Sequence, residues 1–222
     1  MSMIDKTVVR PEQSVLSTNK VLRNTYGLLS MTLIFSALCA GIAVQMNMPP
    51  MGMLITFAGY FGLLFLTSRF ANSGLGLLFV FALTGFMGLT LGPIINMYLS
   101  IPNGSEIVMA AMGGTGVIFL GLSGYVLTTR KDFSFIGGFL MVGILVGFLA
   151  GIGAVFFNMP GLSLAVSAMF VLLMSGLILY QTSQIIHGGE TNYILATVTL
   201  FVSIYNLFLS LLQLLGAFSG DD

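Results

Sequence analysis

Charge is what this sequence has least of. Only 6% of its 222 residues are Asp, Glu, Lys or Arg, where a soluble domain carries about 25%. So few charges cannot cover a globule in water, and lipid must be the main solvent. Cysteine is down to one, Cys39, inside an apolar run. A lone thiol excludes a disulfide framework and a thiolate metal cluster, and Cys39 is read as a helix-packing residue. Histidine is also single, His187. Basic and acidic residues balance at seven each, so no nucleic-acid partner is implied. The first 24 residues lack a basic start followed by a short apolar core, so no cleavable signal peptide is expected.

What is present is apolar sequence: 57% hydrophobic residues, with a mean hydropathy of +1.05. Apolar runs of ~18 or more residues read as membrane-spanning helices. The runs lack the alternation of barrel strands, and in lipid only helices and closed barrels satisfy their backbone. An all-α integral membrane protein with seven transmembrane helices is expected. The spans fall near 25–45, 51–67, 75–98, 107–128, 133–158, 162–186 and 193–218. A polar tail, 1–24, precedes them and a short acidic end, 219–222, follows. The joins are short, and Ser105 is read as a helix cap.

Charge placement tests the count. With seven spans, Lys6, Arg10, Lys20, Arg23, Arg69, Arg130 and Lys131 share one side. Those are all the basic residues of the chain. The other side holds Glu106, Asp221 and Asp222. Lys and Arg concentrate in cytoplasmic loops, so the N-terminus is expected in the cytoplasm and the C-terminus outside.

Small residues signal packing. Gly143, Gly147 and Gly151 recur every fourth residue, giving a smooth groove where a neighbour can approach. Gly85, Gly88 and Gly92 precede Pro93, and Gly113, Gly114, Gly116, Gly121 and Gly124 share one span. All are read as tight intramolecular packing.

No Asp, Glu, Lys, Arg or His falls well inside a span. Intramembrane ionisable groups usually mark proton relays and ion paths, metals need clustered carboxylates, imidazoles or thiolates, and a buried hydrolase needs a nucleophile beside a base. No catalytic constellation, metal site or cofactor is predicted, and the chain is not read as an enzyme. Neutral polar groups remain. Ser203, Asn206, Ser210 and Gln213 are spaced three, four and three, on one helical face. Gln181 and Gln184 can share a face of the preceding helix. The stripe reads as interhelical hydrogen bonding or as a polar path. His187 is read as an interfacial side chain, and Glu190 as an acid favouring the start of the last helix.

The stretches LSTNKVLRNTYGLLSMTL, TGFMGLTLGPIINMYL, YVLTTRKDFSFIGG, IIHGGETNYI and SIYNLFLSLLQLLG resemble the Bax inhibitor-1, or transmembrane Bax inhibitor motif, family, in its bacterial YccA-like branch. The resemblance spans about Leu16 to Gly216. It implies a seven-helix inner-membrane protein whose last helix is wrapped by the others. It also implies a partner, the membrane-anchored AAA protease FtsH, which such proteins bind and modulate. They are slow substrates of it, engaged through the N-terminal tail, which here carries Lys6, Arg10 and Glu12. Other branches imply an alternative, a calcium or proton leak gated by two acids sharing a proton. The matching positions here are Gln181 and Ser203. Neither side chain titrates near neutral pH, so pH gating by that dyad is not expected, with calcium as cargo or otherwise.

Overall fold

The computed structural model describes residues 11–219, with side chains from Lys20 onward. Among the described residues there are seven α-helices: α1 Pro11–Gln45, α2 Met53–Arg69, α3 Gly74–Leu99, α4 Gly104–Thr129, α5 Gly137–Phe156, α6 Pro160–His187 and α7 Tyr193–Phe218. One 3₁₀ turn, Ser134–Ile136, leads into α5. Six helices have the length and apolarity of full membrane spans, and α2 is a shorter apolar one of 17 residues. The chain is a seven-helix membrane bundle.

Helix α1 begins at Pro11 rather than near residue 25. Apolarity marks where lipid starts, not where a helix starts. Pro11 opens the helix where its missing N–H costs nothing, and polar residues then extend α1 beyond its lipid-facing stretch. Of the tail residues named above, Lys6 and Arg10 lie outside the described residues, and Glu12 falls in the first turn of α1.

Helix α7 is the centre. It packs on α1, α2, α3, α4 and α6, and 56% of its apolar stretch is buried against 17% for the stretch ending in α5. Each of the three hydrophobic clusters contains α7 residues: Leu200 and Phe201 in one, Phe208 and Leu212 in another, Leu207 in the third. In lipid the drive to bury apolar surface is absent, so close contact and hydrogen bonds must hold the helices.

Glycine supplies the close contact in two places. Along α3, a methyl added at Gly88 would collide with the Ser36 carbonyl of α1, and one at Gly92 with Ala43. Cys39 packs into the same seam, 3.0 Å from the Cβ position of Gly88. Along α5, Gly143 and Gly147 admit side chains of α6: added methyls would lie 2.6 Å from Leu173 and 2.8 Å from Met169. Helix α4 departs from expectation. Of the five glycines named in that span, Gly113, Gly116, Gly121 and Gly124 face open space, and only Gly114 meets a neighbour, Leu211 at 3.5 Å. Ser105 is not the cap either. Asn103, in the left-handed region, precedes Gly104 at the start of α4.

Long-range contacts tie the loops into two ends. At one end Asn192 reaches the α2–α3 loop, and the α4–α5 loop reaches Ser183 near the end of α6. Arg69, Arg130 and Lys131 lie at this end, as do Lys20 and Arg23 of α1. At the opposite end Asn96 donates to the Val44 carbonyl, and Tyr98 packs over Gly216.

Candidate functional site

The α6 sequence Gln181-Thr182-Ser183 is a run of buried polar residues. Successive helical positions turn by about 100°, so each faces a different neighbour. The Thr182 hydroxyl lies 3.2 Å from the Tyr26 hydroxyl of α1 and 3.5 Å from that of Ser123 in α4. Ser183 accepts from the Phe133 amide at 2.9 Å and donates to Asp132 Oδ1 at 3.4 Å. The run therefore joins α1, α4 and the α4–α5 loop to α6.

His187 completes this end. Its Nδ1 lies 2.9 Å from the Ser183 carbonyl and 3.3 Å from the Ser183 hydroxyl. The sequence places His187 apart from any serine motif, yet one helical turn brings it to Ser183. The trio of Asp132, Ser183 and His187 is not a nucleophile–base array. Nδ1 faces a carbonyl, which can only accept, so it carries the proton and cannot receive one from Ser183. The Ser183 proton goes to Asp132. The trio is a tether between loop and helix. The Ser134 backbone amide holds the Asp132 carboxyl below its ordinary pKa, helped by the Ser134 side chain, His187 and Ser183. Beside it, the Lys131 ammonium sits 5.6 Å above the Tyr125 ring.

Gln181 and Ser203 are both buried, at 5% and 0% exposure, but no hydrogen bond joins them. The Ser203 hydroxyl donates to the Thr199 carbonyl of its own helix at 2.7 Å. Gln181 Nε2 and the Thr25 hydroxyl have no partner among the described residues. A buried donor left so costs about 1–3 kcal/mol.

The α7 stripe divides in the same way. Asn206 Nδ2 donates to the Val202 carbonyl, within α7. Gln213 instead reaches α6: its Nε2 donates to Ser163 at 2.6 Å and its Oε1 accepts from Ser167 at 2.7 Å. Interhelical bonding thus belongs to one end of the stripe. Ser163 and Ser167 are not among the residues the sequence singles out, although their spacing of four in an apolar helix puts them on one face.

Asn192 carries more than its sequence neighbourhood suggests. It caps α7 by accepting from Ile194 N at 2.9 Å and Leu195 N at 3.2 Å. Its Nδ2 bonds Ala71 O and Asn72 Oδ1, and its own N–H donates to Glu190 at 2.7 Å. Asn is among the favoured N-cap residues, which was the available signal. Among the described residues no three His, Cys, Asp or Glu side chains cluster as metal ligands would.

A family profile described as inhibitor of apoptosis-promoting Bax1 matches residues 18–220. An Escherichia coli K12 protein named modulator of FtsH protease YccA is 54% identical over 208 residues, 94% of either chain. Its counterpart in Escherichia coli O6:H1, named inner membrane protein YccA, gives the same figures. An uncharacterized Pseudomonas aeruginosa protein is 56% identical over 202 residues, 91% of either chain.

Proposed function

This chain belongs to the family of inhibitors of apoptosis-promoting Bax1, and from that premise we propose that it binds and modulates an FtsH-type membrane protease. The proposal extends to its own slow degradation by that protease, and to a regulatory rather than an enzymatic role. The observation that carries it is 54% identity along 94% of a relative named for that modulation. The tightly packed bundle supports slow degradation, since a protein with glycine seams and a buried central helix resists extraction.

We place the protein in the bacterial inner membrane, N-terminus in the cytoplasm and C-terminus in the periplasm. The support is the gathering of Lys20, Arg23, Arg69, Arg130 and Lys131 at one end of the bundle, as the positive-inside rule requires. On this reading the segment carrying Lys6, Arg10 and Glu12 is the protease's handle. Gln181 and Ser203 stand in it as neutral packing positions, not as a gate. The leak reading has no comparable support, because neither side chain can titrate or hold calcium as a carboxylate would.

The test joins the purified protein with purified FtsH in proteoliposomes. Expected are slowed degradation of a second membrane substrate and slow loss of the protein itself. Deleting residues 4–14 should suppress that loss severalfold. If neither degradation rate responds, the proposal fails.

A further inference from the structure

A hollow of about 1070 Å³ lies between α2, α3, α5, α6 and α7. It is at the upper end of ligand pockets, roughly 300–1,000 Å³. Among the described residues no charged side chain lines it, and most of its wall is aliphatic or aromatic. On the lipid side it is partly open, with Met97, Met141 and Leu145 exposed at its rim. The Phe148 ring of α5 meets Phe57 and Phe61 of α2 at 6.1 and 6.2 Å between centroids, close to perpendicular. Backbone packing between α2 and α5 is absent, so the hollow can be reached from the bilayer between these two helices.

The deep wall is different. Thr90 donates its one proton to the Met87 carbonyl at 2.8 Å. The 3.2 Å contact between Thr90 and Tyr205 must then be donated by the Tyr205 hydroxyl. That leaves the Tyr205 oxygen as an acceptor. Asn206 gives one N–H to Val202. Its second N–H and its Oδ1 bond no other described residue. Both residues line the hollow, which therefore offers a donor and two acceptors at one place in an apolar chamber.

We propose that this hollow binds a neutral, long-chained membrane amphiphile, its hydroxyl or amide head on Asn206 and Tyr205 and its chain along Phe57 and Phe148. The head is neutral because nothing in the wall would compensate a charge, and an unpaired charge in a membrane interior is costly. The head both donates and accepts because the wall does. Water is a poor occupant, because it needs two to four polar partners per molecule and the polar groups are confined to a few places.

The chain has no tryptophan, so one introduced residue reports alone. Phe148→Trp places it on the hollow. Leu172→Trp places it on the lipid face, where Leu172 is 74% exposed. Both variants go into nanodiscs with increasing 9,10-dibromostearyl alcohol, whose bromines quench tryptophan on contact. Quenching of the Phe148→Trp variant should saturate at low mole fraction, while that of Leu172→Trp should only rise in proportion. Adding Asn206→Leu to the first should raise the half-saturating fraction at least fivefold. Dibromostearyl sulfate, with a charged head, should not saturate either reporter. If Phe148→Trp does not yield a stable bundle, Leu209→Trp reports from the α7 wall. Proportional quenching at the hollow overturns the site. Equal saturation by the sulfate overturns the neutral head, and an unmoved half-saturation in Asn206→Leu overturns its placement.

Discussion

Helices α1 and α3 meet backbone against backbone, whereas α2 and α5 meet only through the edges of phenylalanine rings. Both pairs are apolar and both sit in the same bilayer. The difference is where glycine faces: in α5, Gly143 and Gly147 face α6 rather than α2, and Gly59 of α2 faces Phe86 of α3. Gly88 and Gly92 let the α1 backbone into the surface of α3, while α2 and α5 keep apart and enclose a hollow. Apolarity puts a helix in the membrane, but the absence of a side chain decides which neighbour it locks to.

The strongest way to break that contrast is Gly88→Leu. Its Cβ alone would collide with the Ser36 carbonyl, and rigid backbone cannot yield. Overpacking costs about 1–3 kcal/mol and at times more. We expect loss of most monodisperse protein in size-exclusion chromatography. Gln213→Leu tests whether hydrogen bonds back up packing between α6 and α7. It removes both bonds to Ser163 and Ser167. At ~0.6 kcal/mol each, about 1 kcal/mol of stability should go, read as a lower unfolding midpoint in mild denaturant.

A smaller effect is expected where a loop is tied by side chains alone. The folded Asp132 pKa lies below its ordinary value. Its contribution is therefore full above that ordinary value, about 3.9, and fades as pH falls through the folded one. Exchange of the Phe133 and Ser134 amides should be unaffected by this carboxyl between pH 5 and 8. Protection attributable to it should be lost only in acid, and Asp132→Asn should remove that acid-dependent step. The smallest effect belongs to Gly113→Ala. That site faces open space on α4, so the unfolding midpoint should hold or rise slightly, by less than ~1 kcal/mol. A large loss there would mean that α4 has a neighbour the monomer does not show.

Much of this was legible beforehand, for definable reasons. Lipid forces long apolar runs, so the seven helices and the single basic end could be read from residue types. The start of α1 could not, because hydropathy ends where lipid ends while the helix continues to Pro11. The glycine spacings showed smooth faces but not what lies opposite. They pointed correctly to close packing in α3 and α5 and misled in α4. Likewise the three-four-three spacing put Ser203 to Gln213 on one face without revealing that only Gln213 bonds across to α6. Asp132 and Ser183 are 51 residues apart, and no local pattern announces such a meeting.

The unbroken course of α1 has a mechanical consequence. Its first residues and its seam with α3 belong to one continuous rod. A motor that grips the N-terminus and pulls along that rod loads the seam in shear. Ser36, Cys39 and Ala43 lie on one helix and would be drawn past Gly88 and Gly92 along the same direction. A chain fastened this way would resist such a pull as one unit rather than giving way step by step.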